Sequence, residues 1–223
     1  MTVQRTGAYA TTTGVPAQPM PSVPGRAAAT APALPVVRDL RDRGGRGPRA
    51  LTFPEGDLVV VSGLPGSGKS TLIARTAQRR GIDSQDARER WERRMPGFLP
   101  YAVYRPLVRL AHYAGLRRAL RSGESVVVHD CGTQAWVRRW LAREAARRRT
   151  ALHLVLLDVT PGTARQGQRE RGRGVSGYAF ARHRGAVGRL VRDAERGVVP
   201  RGCASVILLD RPAASALTRV AFG

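Results

Sequence analysis

Residues 57–71 read Asp57-Leu-Val-Val-Val-Ser-Gly-Leu-Pro-Gly-Ser-Gly-Lys-Ser-Thr71. A strand-length apolar run, Leu58 to Val61, leads into the pattern G-x-x-x-x-G-K-S, with Gly63, Gly68, Lys69 and Ser70 at its fixed positions. A helical pattern, Leu72-Ile-Ala-Arg-Thr-Ala-Gln, follows. Strand, glycine loop and helix in that order are what a phosphate-binding loop (P-loop) requires. Glycines let the backbone fold back so that successive N–H groups converge on an anion, and the helix N-terminus adds partial positive charge. Lys69 is the chain's sole lysine; every other strongly basic position is arginine. A compact ammonium on a flexible stem reaches phosphate oxygens in a way a planar guanidinium does not. Gly63, Leu64, Pro65, Gly66, Ser67, Gly68, Lys69, Ser70 and Thr71 are therefore expected to cradle the phosphates of ATP. The Ser70 hydroxyl is a candidate ligand of Mg²⁺.

The rest of the chain supports an α/β fold. Apolar runs at Ser125–Asp130, Ala151–Asp158 and Ala204–Asp210 predict strands, and Gly81-Ile-Asp-Ser a short strand end. Helical patterns at 86–94, 104–121, 134–149, 161–171 and 187–196 alternate with them. Such alternation predicts a parallel sheet covered on both faces. Residues 1–50 are rich in Pro, Ala, Thr and Gly and lack apolar periodicity, so they are expected to be disordered, with the domain occupying 55–215. With 223 residues, one domain with a full core is the expectation. No stretch has the length and apolarity of a membrane span, and no signal-peptide run is evident. Two cysteines, Cys131 and Cys203, suggest small buried thiols in a reducing cytoplasm.

The 38 basic residues outnumber the 16 acidic ones, for a formal charge of +22. Such an excess favours polyanions: nucleic acid, nucleotides or phosphorylated small molecules. Codon pressure toward arginine is the alternative source.

In open α/β sheets ligands bind at the carboxyl ends of strands. Asp130 follows three valines and a histidine, and reads either as an orienter of Mg²⁺ or its water shell, or as a helix cap. Asp158 and Asp210, each soon followed by proline, read as caps. In Asp83-Ser-Gln-Asp-Ala-Arg88, a carboxylate could accept the proton of an attacking hydroxyl and Arg88 could fix an acceptor's phosphate. An acid-rich first helical turn explains the same residues. Arg165, Arg169 and Arg173 are spaced by four, with Arg171 between them and glycines at 172, 174 and 177. They read as a mobile lid that neutralises charge on the phosphates, or as a solvated basic helix. Trp91, Phe98, Tyr101, Tyr104, His112 and Tyr113 could stack a base or form the core of a helical subdomain.

Together, Gly63 to Thr71, the turn Asp83 to Arg88, the strand Val126 to Asp130 with Arg138 beyond it, and the lid arginines resemble the zeta-toxin/polynucleotide-kinase-like group of P-loop kinases, also described as AAA-type ATP-binding domains. The resemblance spans roughly residues 55–215. It implies the three-layer P-loop NTPase fold with a five-stranded parallel sheet, and transfer of the ATP γ-phosphoryl to a hydroxyl. It implies that Lys69 and Ser70 serve ATP and Mg²⁺, that Asp130 is the acid at the third strand's end, and that Arg169 and Arg173 are the lid pair. It also implies an acid three residues before Arg88, where this chain has Gln85, so Asp86 or Asp83 would supply the base. The acceptor, a small molecule or a nucleic-acid end, stays open. The rival reading is a nucleotide-dependent regulatory or nucleic-acid-binding module with weak ATPase activity.

Overall fold

A computed structural model describes residues 35–42, 44, 46–77, 80–130, 135–172 and 174–223. Strand β3 (Leu58–Gly63) is buried along its whole length. It lies between β5 (Val126–His129) and β6 (Leu152–Leu157), parallel to both. Short β4 (Gly81–Ile82) extends the sheet beyond β5; β7 (Ser205–Leu209) and edge strand β1 (Val36–Asp39) extend it beyond β6. The order is β1-β7-β6-β3-β5-β4, and every pairing is parallel.

Alternation along each strand decides which face a side chain serves. Leu58 and Val60, with Val126, Val128, Leu152, Leu154, Leu156, Val206 and Leu208, belong to one core cluster. There they meet Leu116 and Leu120 of α3 (Tyr101–Arg121), Val137 and Leu141 of α4 (Ala135–Arg148), and Val187 and Leu190 of α6 (Gly177–Glu195). Val59, Val61, Val127, Val155, Leu157, Ile207 and Leu209 belong to the other cluster. That layer holds Leu72 and Ile73 of α1 (Lys69–Thr76), Ala213 of α7 (Arg211–Ala216), and a parallel pair, β2 (Ala50–Phe53) with β8 (Arg219–Phe222). Three layers result, because a parallel sheet must bury both faces. A third cluster, Ala87, Tyr104 and Val108 with Trp91 and Tyr101 against it, joins α2 (Ser84–Glu92) to α3. The aromatic-rich segment thus contributes to the core of a helical arm.

Several expectations need correction. The sheet has six strands, not five. The extra one, β1, is four residues of largely exposed Val-Val-Arg-Asp held by register with Ser205–Leu208. Its order is therefore tertiary rather than local. Disorder over 1–50 accordingly fails at 36–39, while residues 1–34 lie outside the described residues. Order also continues past 215, through α7 to β8. Helix α6 begins ten residues before the expected 187, because Ser176 caps it by accepting from the Ala179 N–H at 3.3 Å. Its glycines and arginines mask the apolar period there. Asp210 does cap α7, accepting from Ala213 N–H at 2.7 Å. Thr160, not Asp158, caps α5 (Pro161–Arg169), and Asp158 pairs with Arg41. Among the described residues, no helix is long and apolar enough to cross a membrane.

Candidate functional site

Strand β3 ends at Gly63, and the chain turns through Leu64-Pro65-Gly66-Ser67 into α1. Gly66 (φ 86°) and Gly68 (φ 96°) occupy left-handed conformations that side-chain-bearing residues rarely adopt. Gly68 stands at the head of α1 with no side chain to cap it, so the helix's first N–H groups are open to an anion. Lys69 is 3 % exposed, and its Nζ donates to the Gly63 and Leu64 carbonyls at 2.9 and 2.8 Å. The Ser67 hydroxyl is buried without a hydrogen-bond partner. An orphaned hydroxyl, a buried ammonium and left-handed glycines form a cradle suited to phosphate.

Helix α5 lies directly on this loop. A Cβ at Gly66 would come within 2.0 Å of the Ala164 carbonyl oxygen, and one at Gly167 within 2.5 Å of the Gly66 oxygen. Only glycine permits that approach. Gln168 locks the contact: its amide donates to the Pro65 carbonyl at 2.9 Å and its oxygen accepts from Val175 N–H at 3.0 Å. No sequence signal marks this glutamine, whose partner is 103 residues away.

The sheet's carboxyl edge brings further groups together. Asp83 follows β4, and His129 ends β5 next to Asp130. The Asp83 carboxylate lies 3.8 Å from His129 Nδ1, and Ser84 Oγ is 3.4 Å from each of these groups. Burial pushes His129 down to about 4; the Lys69 charge acts the same way and Asp83 opposes it. The imidazole is therefore neutral at pH 7. Asp130, 6 % exposed, meets Arg138 Nη1 at 3.4 Å, and its N–H donates to the Val61 carbonyl. Asp86 sits in the exposed first turn of α2, its pKa raised by partial burial and then by Asp83 and Glu89. Gln85 lies in the same turn. Arg88 pairs with Glu92 at 2.6 Å and stacks on the Tyr101 ring at 4.1 Å, so both partners belong to the helical arm rather than the P-loop. His129 could have been suspected from the sequence, as an ionisable residue closing an apolar strand.

The arginines divide differently from the helical spacing. Helix α5 stops at Arg169, and Arg173 lies outside the described residues. Arg165 stacks on Phe180 at 5.0 Å, and with Arg169 it lines a hollow containing no P-loop residue. Among the described arginines of this cluster, Arg171 reaches α1, donating to Thr71 Oγ1 at 3.0 Å. It borders a cleft of about 200 Å³ that runs from Gly66, Ser67 and Gly68 past Leu157 and Val159 to Arg211, Ala214 and Ser215.

The architecture is similar to that of solved proteins. A structure of the PezAT chromosomal toxin–antitoxin system of Streptococcus pneumoniae superposes with a TM-score of 0.52 at 14 % identity, covering 77 % of this chain and 80 % of that one. A gluconokinase from Sinorhizobium meliloti gives 0.42 at 20 % identity, covering 74 % and 93 %. The APS kinase of Mycobacterium tuberculosis gives 0.39 at 18 % identity, covering 73 % and 94 %. No curated protein matches the chain. Residues 58–194, more than half of the sequence, match the AAA domain family AAA_33. The chain belongs to this P-loop kinase-like family.

Proposed function

We propose that the protein binds ATP with Mg²⁺ and transfers the γ-phosphoryl to a hydroxyl of an acceptor held beside the helical arm. The observation that carries this reading is the buried Lys69 at the head of α1, with Asp83, His129 and Asp130 along the same sheet edge. The Gly66–Gly68 backbone and Lys69 would hold the phosphates, and the cleft toward Arg211 would take the nucleoside. Leu64, Pro65 and Thr71 shape that loop. Ser70 and Asp130 would supply hard oxygen donors for Mg²⁺. Among the described residues no group of three or more His, Cys, Asp or Glu could hold a metal. When bound, Mg²⁺ would neutralise charge on the phosphates.

The acceptor oxygen forms a bond to the γ-phosphorus while the bond to the β–γ bridging oxygen breaks; ADP leaves. The hydroxyl proton passes to a carboxylate. We assign this to Asp83, at the strand end beside neutral His129, with Asp86 as the alternative. Arg171 would offset charge on the transferring group, with Arg169 and Arg173 as the further lid candidates. Arg88 would serve the acceptor only after exchanging its partner Glu92. The charge of +22 favours an acidic acceptor, such as a nucleic-acid end or a phosphorylated metabolite.

Labelled ATP, incubated with pooled acceptors and with an acceptor-free control, tests this reading. The expected result is label on an acceptor, lost in Lys69→Ala, and reduced by ~10²–10⁴ in Asp83→Asn if Asp83 is the general base. Normal transfer by Asp83→Asn with loss in Asp86→Asn moves the base to Asp86. Phosphate release alone, unaffected by any acceptor, rejects transfer and supports the regulatory ATPase.

A further inference from the structure

Residues 40–42, just after β1, lie at the carboxyl edge of the sheet on the side away from Asp83. Arg41 there gathers three carboxylates. Its Nη1 donates to Asp158 Oδ2 at 2.6 Å and Glu195 Oε1 at 2.9 Å, and its Nη2 to Asp39 Oδ2 at 2.7 Å. Its side chain is 17 % exposed, so these pairs are only partly screened. The next residue, Asp42, donates its N–H to Asp210 Oδ2 at 2.8 Å. Asp210 is also the cap of α7 through its other oxygen. A Cβ at Gly47 would stand 3.3 Å from Ala213 Cα, so that loop rests on the middle of α7. Beyond the helix, Thr218 N–H donates to the Arg49 carbonyl at 2.7 Å, and the Thr218 hydroxyl donates to it at 2.9 Å.

These contacts hold α7 at its start, its middle and just past its end. They also pin Asp158, between Leu157 and Val159. Leu157, Val159, Arg211, Ala214 and Ser215 are the far wall of the cleft that starts at the P-loop. None of residues 39–42 or 46–49 lines that cleft. We propose that these residues act as a strap that positions the nucleoside-side wall of the cleft, with Arg41 and Gly47 as positioning residues. The inference rests on the nucleotide-binding reading and adds a device to it. Without Arg41, Asp39, Asp158 and Glu195 would face one another as like charges and drive the strap from the β6 exit. A larger residue at position 47 would push α7 toward or along the cleft.

The test compares calorimetric binding of ATP and of inorganic tripolyphosphate, each with Mg²⁺, by the full chain, Arg41→Ala, Gly47→Val and Lys69→Ala. Tripolyphosphate needs the P-loop but not the far wall. The strap requires both variants to weaken ATP about tenfold, an ordinary size for coupling between sites, with tripolyphosphate unchanged. Gly47→Val leaves every ion pair in place, so it serves if Arg41→Ala does not fold. Wild-type affinity for both ligands in these variants overturns the strap, while loss of both ligands in Lys69→Ala upholds the P-loop reading. Equal weakening of both ligands in both strap variants also overturns it, since that marks general destabilisation. A wild-type chain that binds neither ligand rejects nucleotide binding itself, and the strap's role falls with it.

Discussion

Asp57 immediately precedes the P-loop strand yet faces away from its loop. Its carboxylate accepts from Ala151 N–H at 2.7 Å and contacts His153 Nε2 at 2.9 Å, and His153 Nδ1 lies 2.8 Å from Ser205 Oγ. This chain joins the starts of β3, β6 and β7, at the opposite end of the sheet from Lys69. Deleting a buried partner leaves the other groups unsatisfied, so Asp57→Ala should lower unfolding free energy by about 1–3 kcal/mol. Urea denaturation would measure that, and ATP affinity should not change. His112 offers a second check. Burial lowers its pKa, with Asp83 opposing. The folded state therefore binds fewer protons than the unfolded one, whose imidazole titrates near ~6.5. The stability linked to this group is intact above that pH and falls as pH drops below it. His112→Phe should flatten that part of the pH–stability curve in denaturation series from pH 7 to 5. An unchanged slope would show that His112 does not set it. Lys69 was legible in the sequence because its motif is contiguous. The Asp57–His153–Ser205 chain was not, because its members are 96 and 52 residues apart.

Among the elements, α5 and the P-loop depend most on small residues. Gly167→Ala puts a methyl against the Gly66 carbonyl oxygen and must lift α5 from the loop. Its ATP affinity should fall more than its melting temperature indicates, because the displaced surface is the proposed phosphate cradle. Gly115 in α3 is the contrast: a Cβ there meets nothing within 4 Å. Gly115→Ala should stabilise by about 0.5–1 kcal/mol through helix propensity and leave nucleotide binding alone. Thermal melts paired with ATP titrations distinguish the two. Equal losses of affinity and stability in Gly167→Ala would reduce that contact to ordinary packing. The strong strands were readable as apolar runs. The arginine arrangement was not, since helical spacing suggested one face through Arg173 while the helix ends at Arg169 and Arg171 turns to Thr71.

At the scale of the molecule, the stretch before the P-loop strand is part of the architecture. Edge strand β1 pairs with β7 along four residues, and Arg41 ties it to the ends of β6 and α6. A chain beginning at residue 50 should therefore melt lower and bind ATP more weakly than one beginning at residue 35. The two compared by calorimetry and thermal melts give the difference directly, and equal behaviour would show that β1 and the strap are dispensable. Composition alone suggested the opposite, since Pro- and Gly-rich sequence predicts little buried area. Four residues of edge strand need little of their own hydrophobicity when a completed sheet offers its hydrogen bonds.

The residues of the chain alone determine the glycine loop between β3 and α1, the main parallel strands and the layering of helices over them. Those features are local: a glycine spacing, an apolar run and a helical period each act within about fifteen residues. Tertiary structure decides which distant groups share the sheet's carboxyl edge. It sets Asp83 beside His129, lays α5 on Gly66, and brings Arg171 rather than Arg169 to α1. It also recruits a weak strand and a strap from sequence that reads as linker. The physical reason is that side-chain approach depends on strand order and register, and both emerge only when the buried strands have packed.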